Sequence, residues 1–309
     1  MKKFLLKLSL FMFLFLISLS VVSKIMVRKG NGYGTDVLSF YNEKKNSMDL
    51  IFFGSSHSYA TFSPNVLKEE TGLVSYNFST QQQPLWITYH YMIEALKYQK
   101  PKYFVLDILM AIKNFEYSSE GVNRDAIDKM KFSKNKIDAI NVSVEKLSDR
   151  ISYYFNIIKY HSRWNELGKT DILSLLHSNI SPTKGFTYLK ENTAEAVKYD
   201  LKDVTNVKKI SKKNEEYLKK IINLAKENNI ELILVKSPCT TTKEEQEYYN
   251  YIELIAKEND IKYLNYNLLY DELNLDFVND FYDSGHLDGE AAERVTRHFA
   301  NYMIENFEL

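Results

Sequence analysis

The chain has 309 residues, of which 45% are hydrophobic and 26% are charged, so it can bury a large core and is neither disordered nor fibrous. Its formal charge of +0 averages two unlike parts. Residues 1–29 hold six basic side chains and no acidic one, whereas the remainder holds 34 basic and 40 acidic groups, a net charge of −6. A body of that sign lacks the basic footprint of a nucleic-acid-binding protein. The single cysteine, Cys239, excludes an intrachain disulfide framework and every metal site built from several cysteines.

The N-terminal segment is apolar and follows three lysines. Its uninterrupted core, residues 8–22, has the length of a signal-peptide core, whereas residues 4–27 exceed the roughly 20 residues that a membrane span needs. Basic residues flank both ends, so the orientation is taken from the order of basic and apolar regions, which is that of an exported protein. We predict an uncleaved membrane anchor over residues 1–29 and an extracytoplasmic body over residues 30–309. A cleaved signal peptide is the alternative.

Apolar runs and helical segments alternate along the body. The runs that predict buried strands are residues 48–53, 74–78, 103–108, 230–236 and 261–264. The segments with helical periodicity are residues 85–97, an amphipathic stretch before residue 230, residues 243–257, and a C-terminal helix marked by Ala291, Val295, Phe299 and Tyr302. This alternation predicts a mostly parallel sheet covered on both faces, which is a three-layer α/β/α sandwich.

Residues 111–206 interrupt that alternation. The segment is polar, aromatic and helix-leaning, and it contains no strong strand signal. We predict a helical insertion folded over the carboxyl ends of the strands, where ligands of open α/β sheets bind, so that it lines a substrate groove. The alternative is a helical subdomain that only packs. Trp86, Trp164 and the tyrosines of the insertion are likewise candidates either for stacking on sugar rings or for packing.

The first motif that carries chemistry is Gly54-Ser55-Ser56-His57-Ser58, directly after the first predicted strand. A serine at a strand-to-helix turn can project its hydroxyl from the sheet edge, beside backbone N–H groups that stabilise an oxyanion. The glycine permits a tight turn that a β-carbon would obstruct. On its own, this motif also fits an ordinary turn.

The second motif is Asp283-Ser284-Gly285-His286, just before the C-terminal helix. An aspartate three residues before a histidine can accept a hydrogen bond from the ring Nδ1–H. That bond fixes the tautomer and stabilises the imidazolium while Nε2 takes a proton from a serine. On its own, this motif also fits a helix N-terminus capped by Asp288 or Asp283, with His286 on the surface.

Together, in this order, the two motifs resemble the SGNH (GDSL-like) hydrolase superfamily. The resemblance implies a flavodoxin-like sheet, with Ser56 as the nucleophile, His286 as the general base and Asp283 as the residue that orients it. It covers the whole body, with the insertion as an addition. The chain looks closest to the membrane-anchored branch that includes the teichoic-acid D-alanylation protein DltD and the alginate and peptidoglycan O-acetyltransferases. The shared features are the anchor, Gly-Ser-Ser in place of Gly-Asp-Ser, and Ser-Tyr-Asn-Phe at residues 75–78.

The resemblance also implies an activity. The chain would be an extracytoplasmic O-acyltransferase, with acetyl as the expected acyl group, and would need neither a metal nor another cofactor. An MBOAT-type membrane acyltransferase would supply the acyl group to Ser56, and the acceptor would be a hydroxyl on a cell-surface polysaccharide, teichoic acid or peptidoglycan. The rivals are a carbohydrate deacetylase with the same triad and a weakly catalytic scaffold subunit of a surface-acylation complex.

The sequence departs from the family at the oxyanion hole. The second family block supplies a glycine N–H, and Ser79 stands near that position; the third block, Gly-x-Asn-Asp, is absent after the third strand. We predict Asn77, Ser79 and Gln83 as the oxyanion or substrate-binding residues, with the amides of residues 81–82 as alternatives. Because losing one such donor costs about 2.7–4 kcal/mol of transition-state stabilisation, weak hydrolysis or transfer to a specific acceptor is favoured over fast general hydrolysis.

Three other side chains carry alternative chemistry. His57, next to Ser56, is an alternative base, although adjacent side chains usually diverge at a turn. His57 with Asp283 and His286 is also an alternative zinc set, which the serine-bearing turn disfavours. Cys239 follows the strongest predicted strand and is expected to be a small buried residue rather than a nucleophile.

Overall fold

The apolar runs form a parallel sheet in the computed structural model, which describes residues 1–27, 37–173, 180–190 and 196–308. The predicted boundary at residues 29–30 lies outside them. The strands within the described residues are β1 (Leu50–Phe53), β2 (Ser75–Asn77), β3 (Tyr103–Asp107), β4 (Glu231–Lys236) and β5 (Lys262–Asn265). They lie in the order β2-β1-β3-β4-β5, and every neighbouring pair is parallel. The predicted α/β class is confirmed, with the flavodoxin-like strand order.

Helices make the crossovers that parallel strands require. All helices of the described residues, in chain order, are α1 (Lys2–Met26), α2 (Val37–Phe40), α3 (Ser56–Tyr59), α4 (Pro64–Thr71), α5 (Leu85–Leu96), α6 (Glu120–Ile127), α7 (Lys134–Ser143), α8 (Leu147–Tyr154), α9 (Asn156–Tyr160), α10 (Lys169–Leu173), α11 (Lys212–Glu227), α12 (Lys243–Glu258) and α13 (Gly289–Asn306). Those between β1 and β5 make the crossovers. Short 3₁₀ turns lie at Leu109–Ile112, His161–Asn165 and Tyr266–Leu268.

The core lies in two layers, one on each face of the sheet. Successive strand residues point to opposite faces, so Phe53 and Phe104 pack with α5, α11 and α12, whereas Phe52 and Val105 pack with α4 and α13. All four side chains are fully buried. The three-layer sandwich therefore follows from strands that are apolar on both faces.

The helices α6 and α7 of the insertion extend the layer that contains α5. Their apolar residues, among them Ala126 and Ile140, belong to the same core as α5. The Tyr91 hydroxyl donates to the carbonyl of Ala126 (2.7 Å), and the Asn135 amide donates to the carbonyl of His90 (2.9 Å). These helices find their apolar partners beside the sheet, so the prediction that the insertion folds over the strand ends does not hold for them.

The N-terminal helix α1 is 25 residues long, and among the described residues it is the one helix long and apolar enough to cross a membrane. Its length and composition fit both an anchor and a signal sequence. The side chains of residues 1–18 are exposed, and packing against the body begins at residue 19.

Candidate active site

The turn after β1 places Ser56 at the carboxyl end of the sheet. Gly54 has φ +148°, and a β-carbon there would lie 2.9 Å from Cβ of Asp107 and 3.0 Å from Cβ of Ser58, so only glycine fits. The next residue, Ser55, caps α3 by accepting a hydrogen bond from the backbone N–H of His57 (3.4 Å). Ser56 is therefore the first residue of α3, held at a strand-to-helix turn as the motif predicts.

The loop before α13 is organised by Asp283. Its Oδ1 accepts from the backbone N–H groups of Gly285 (2.7 Å) and His286 (2.8 Å), which closes the loop around the carboxylate. The backbone N–H of Thr240 donates to the carbonyl of Ser284 (2.9 Å) and ties this loop to the segment after β4. The loop is thus fixed against the same sheet edge that carries Ser56.

These two segments, 230 residues apart in sequence, meet in a hydrogen-bonded triad. Nε2 of His286 lies 2.8 Å from Oγ of Ser56, and Nδ1 lies 2.9 and 3.0 Å from the two carboxylate oxygens of Asp283. A carboxylate only accepts, so Nδ1 carries the hydrogen and Nε2 accepts from the serine hydroxyl. This is the geometry by which a histidine takes a proton from a serine nucleophile.

The triad opens on a cavity of about 410 Å³. Its lining includes the serine turn, residues 109–115 after β3, the start of α12 and the histidine loop. Of the described residues of the predicted insertion, Lys113 and Phe115 line it, and the helices α6–α10 do not. A second cavity of about 390 Å³, lined by residues 198–202 and 267–271, contains no triad residue.

The structure does not bring the predicted oxyanion side chains to this cavity. The Asn77 amide donates to the carbonyls of Ser58 (2.9 Å) and Phe62 (3.3 Å), and its oxygen accepts from Oγ of Ser79 (2.7 Å). The Gln83 amide is buried and satisfied by Thr80 and Thr88, each at 2.9 Å. The Asn77 amide thus ties the end of β2 to the segment after β1, and the Gln83 amide stabilises the chain between β2 and α5.

Gln82 is the side-chain amide that lines the cavity. Its φ of +48° is left-handed, which turns it outward between the exposed Gln81 and the buried Gln83. The sequence indicated residues 81–83 as a group but could not tell which one lines the cavity. That the backbone N–H of Ser79 contributes to the oxyanion hole stays a prediction.

His57 lies in the same cavity as His286, with ring centroids 4.9 Å apart. Burial holds its pKa well below the usual value, and the charge of Lys236 and the His286 ring act in the same direction, so His57 stays neutral. Its buried Nδ1 has no hydrogen-bond partner among the described residues. Of the two imidazoles, that of His286 makes the hydrogen bond to Oγ of Ser56.

Two lysines, Lys113 and Lys236, lie near the site but were not predicted from the sequence. Lys113 lines the cavity, and its Nζ lies 3.3 Å from Oε1 of Glu245, whose other oxygen completes the capping box of α12. Lys236 is fully buried, and its Nζ donates to the carbonyl of Ser237 (2.5 Å) and lies 3.2 Å from Sγ of Cys239. Cys239 is buried at the cavity wall.

Two aromatic candidates for sugar stacking lie away from the cavity. Trp86 is fully buried in the core, whereas Trp164 is 72% exposed on the 3₁₀ turn after α9. In the part of the chain that the structure describes, no group of three or more His, Cys, Asp or Glu side chains could hold a metal ion.

No known family model matches the chain, and no curated protein matches it. Among solved structures, it is similar to a lipolytic protein of the G-D-S-L family from Desulfitobacterium hafniense DCB-2, with a TM-score of 0.43 and 12% identity over 82% of this chain and 97% of that one. It is also similar to the acetyl xylan esterase Est2A from the rumen bacterium Butyrivibrio proteoclasticus, with a TM-score of 0.33 and 12% identity over 85% of this chain and 65% of that one. The G-D-S-L family is the one whose motifs the sequence resembles.

Proposed function

We propose that this chain is a serine-dependent esterase or acyltransferase of the SGNH type, which forms a covalent acyl ester on Ser56. The observation that carries the proposal is the hydrogen-bonded path from Asp283 through His286 to Ser56, with distances of 2.9 and 2.8 Å, at the wall of an open cavity. Nucleophile, base and orienting carboxylate stand in the order that acyl transfer requires.

In acylation, Oγ of Ser56 attacks the carbonyl carbon of an ester while its proton passes to Nε2 of His286. Asp283 stabilises the resulting imidazolium through Nδ1. The tetrahedral adduct then collapses, the C–O bond to the leaving alcohol breaks, and that oxygen takes the proton from Nε2. The products are an alcohol and acyl-Ser56, with His286 neutral again.

In deacylation, a second hydroxyl replaces the departed alcohol. His286 takes its proton, the oxygen attacks the acyl carbon, and Ser56 leaves with the proton returned from Nε2. If the hydroxyl belongs to water, the reaction is hydrolysis; if it belongs to a polymer, the reaction is transfer. The triad performs either step, and the acceptor that occupies the cavity decides between them.

We assign transfer to a hydroxyl of a cell-surface polysaccharide, teichoic acid or peptidoglycan, with acetyl as the acyl group and an MBOAT-type membrane acyltransferase as its source. One observation supports this assignment. The helix α1 is long and apolar enough to hold the chain at a membrane.

The test uses the full chain in phosphatidylcholine vesicles, with para-nitrophenyl acetate as donor and either polyglycerol phosphate or a neutral xylo-oligosaccharide as acceptor. We expect free acetate to fall short of released nitrophenol when polyglycerol phosphate is present. The missing acetyl groups should be recovered as esters on that polymer, and neither product should form with Ser56→Ala.

Two outcomes contradict parts of this proposal. If the amount of free acetate equals the amount of released nitrophenol with every acceptor, the chain is a deacetylase-type hydrolase and the proposed transfer is wrong. Nitrophenol release no faster than with Ser56→Ala would overturn the serine enzyme itself and favour the scaffold subunit.

A further inference from the structure

Exposed apolar side chains concentrate on one part of the body. After α1, the described residues include 17 large hydrophobic side chains that are exposed, and eight of them lie between residues 147 and 180. Leu147 and Ile151 lie four residues apart on one face of α8. Phe155, at the break between α8 and α9, and Ile158, on α9, are exposed as well, so the apolar surface continues from one helix to the next.

This apolar surface lies on α9, which meets α1, and on α8, which packs against α9. The last turns of α1 pack against α9, α10 and the 3₁₀ turn between them. The partly buried residues of α1 include Leu19, Val22, Ser23 and Met26, which share one helical face. The Arg163 side chain donates to the carbonyl of Met26 and fixes the end of α1 to this part of the body.

The length of α1 determines where the helices that contact its C-terminal end would lie relative to a bilayer. Its 25 residues extend about 38 Å at 1.5 Å per residue, whereas the hydrocarbon core of a bilayer is roughly 30 Å thick. With residues 1–18 unpacked and available to lipid, the excess of about five residues falls at the C-terminal end, which is the end that contacts α9. If α1 spans a bilayer in this way, α9, α10 and the turn between them lie level with the membrane interface.

We propose that α8–α10 (Leu147–Leu173) form a membrane-facing surface that inserts its apolar side chains into the lipid interface beside the anchor. The proposal rests on the membrane anchoring assigned to α1. Interfacial helices bury an apolar face about 5–10 Å into the boundary between headgroups and acyl chains. Trp164, 72% exposed on the turn between α9 and α10, is the residue type that collects at this depth. This second contact fixes how the body stands on the bilayer.

The two tryptophans of the chain make the surface testable. Trp164 is exposed on the proposed surface, whereas Trp86 is fully buried in the core against Phe115 and Tyr217. The helix α1 contains no tryptophan. Emission that responds to lipid therefore reports Trp164, and Trp164→Phe provides the matched control in which only Trp86 remains.

The experiment reconstitutes the full chain in phosphatidylcholine vesicles whose acyl chains carry bromine, a fluorescence quencher, either near the headgroup or near the methyl end. Flotation of the vesicles measures anchoring separately. We expect the chain to float and its emission to be quenched, more by bromine near the headgroup, with the quenching lost in Trp164→Phe.

Three results would overturn the proposal. If the chain floats but Trp164 is not quenched, α1 is an anchor and the surface faces water or a second copy. If quenching is stronger near the methyl end, the surface is not interfacial. If the chain does not float, anchoring fails together with the surface, whereas acylation of Ser56 on the same sample tests the active site independently.

Discussion

The two sides of the cavity differ in how their chemistry is built. On one side, Ser56, His286 and Asp283 form a continuous hydrogen-bonded path. Hydrogen bonds between side chains and nearby backbone N–H groups hold both the serine turn and the histidine loop in place. On the other side, the amides expected to stabilise an oxyanion, those of Asn77 and Gln83, do not line the cavity and are bonded to the protein itself.

This difference shows that proton transfer and oxyanion stabilisation depend on different parts of the fold. A nucleophile and its base need two short motifs at one sheet edge. An oxyanion hole also needs donors without internal partners, aimed at the position where charge develops. In this chain the first requirement is met in full, whereas for the second the structure places one side-chain amide, that of Gln82, among the described residues that line the cavity.

The largest effect is expected from removing the nucleophile or the base. Ser56→Ala and His286→Gln should each lower kcat/KM for para-nitrophenyl acetate by roughly 10⁴-fold or more, since either change breaks the proton path. His57→Gln changes the neighbouring imidazole in the same cavity and should cost far less. A folded His57→Gln protein as inactive as His286→Gln would contradict the assignment of the base.

The orienting carboxylate is expected to come next. Asp283→Asn replaces an oxygen that accepts from Nδ1 with an amide that donates, which favours the wrong tautomer and should lower kcat by roughly 10⁴-fold. The matched control is Asp288→Asn, because Asp288 caps α13 without touching His286, and asparagine caps nearly as well. Equal losses in the two variants would show that the loop, rather than the Asp283–His286 contact, matters.

A smaller effect should separate the three neighbouring glutamines. Gln82→Ala should lower kcat by roughly 10²–10³-fold, as expected for loss of one oxyanion donor, whereas the exposed Gln81→Ala should leave it unchanged. Gln83→Ala should instead lower stability by about 1–3 kcal/mol, because Thr80 and Thr88 lose a buried partner. Kinetics and thermal unfolding of all three variants are measured together, and a kinetic loss in Gln83→Ala at unchanged stability would reverse the assignment.

The smallest effect concerns pH. The pKa values of His57 and His90 are lowered in the folded chain, chiefly by burial, so as the pH drops below the ordinary histidine pKa of 6.5 the unfolded chain binds protons before the folded chain does. Stability should therefore be full above pH 6.5 and fall as the pH drops below it, by up to about 1.4 kcal/mol per pH unit for each histidine.

Unfolding curves at several pH values check this sign. His57→Gln should flatten the fall, whereas substitution of the exposed His161 should not. A stability that rises as the pH drops from 6.5 would mean that His57 gains a proton-binding partner on folding.

The fold and the triad could be predicted because both depend on patterns of neighbouring residues in the sequence. Each strand is a short apolar run, and each triad residue lies within a motif bounded by a turn. The burial of Lys236 could also have been predicted. Side chains two residues apart on a strand share a face, so Lys236 lies on the buried face of Leu232 and Leu234.

The oxyanion side and the insertion could not be predicted in the same way. Which of three consecutive glutamines faces the cavity depends on the left-handed turn at Gln82, and the use of Asn77 depends on carbonyls of Ser58 and Phe62. The position of the insertion depends on which helices offer apolar partners, which local periodicity does not encode.

The most direct test of the account is the intact mass of the full chain after treatment with a fluorophosphonate, compared with Ser56→Ala and His286→Ala. A fluorophosphonate reacts with a serine whose proton is taken by a base. We expect one adduct per wild-type chain and none on either variant. A folded wild-type chain without an adduct, or an adduct that persists on Ser56→Ala, would contradict the claim that Ser56 is a nucleophile activated by His286.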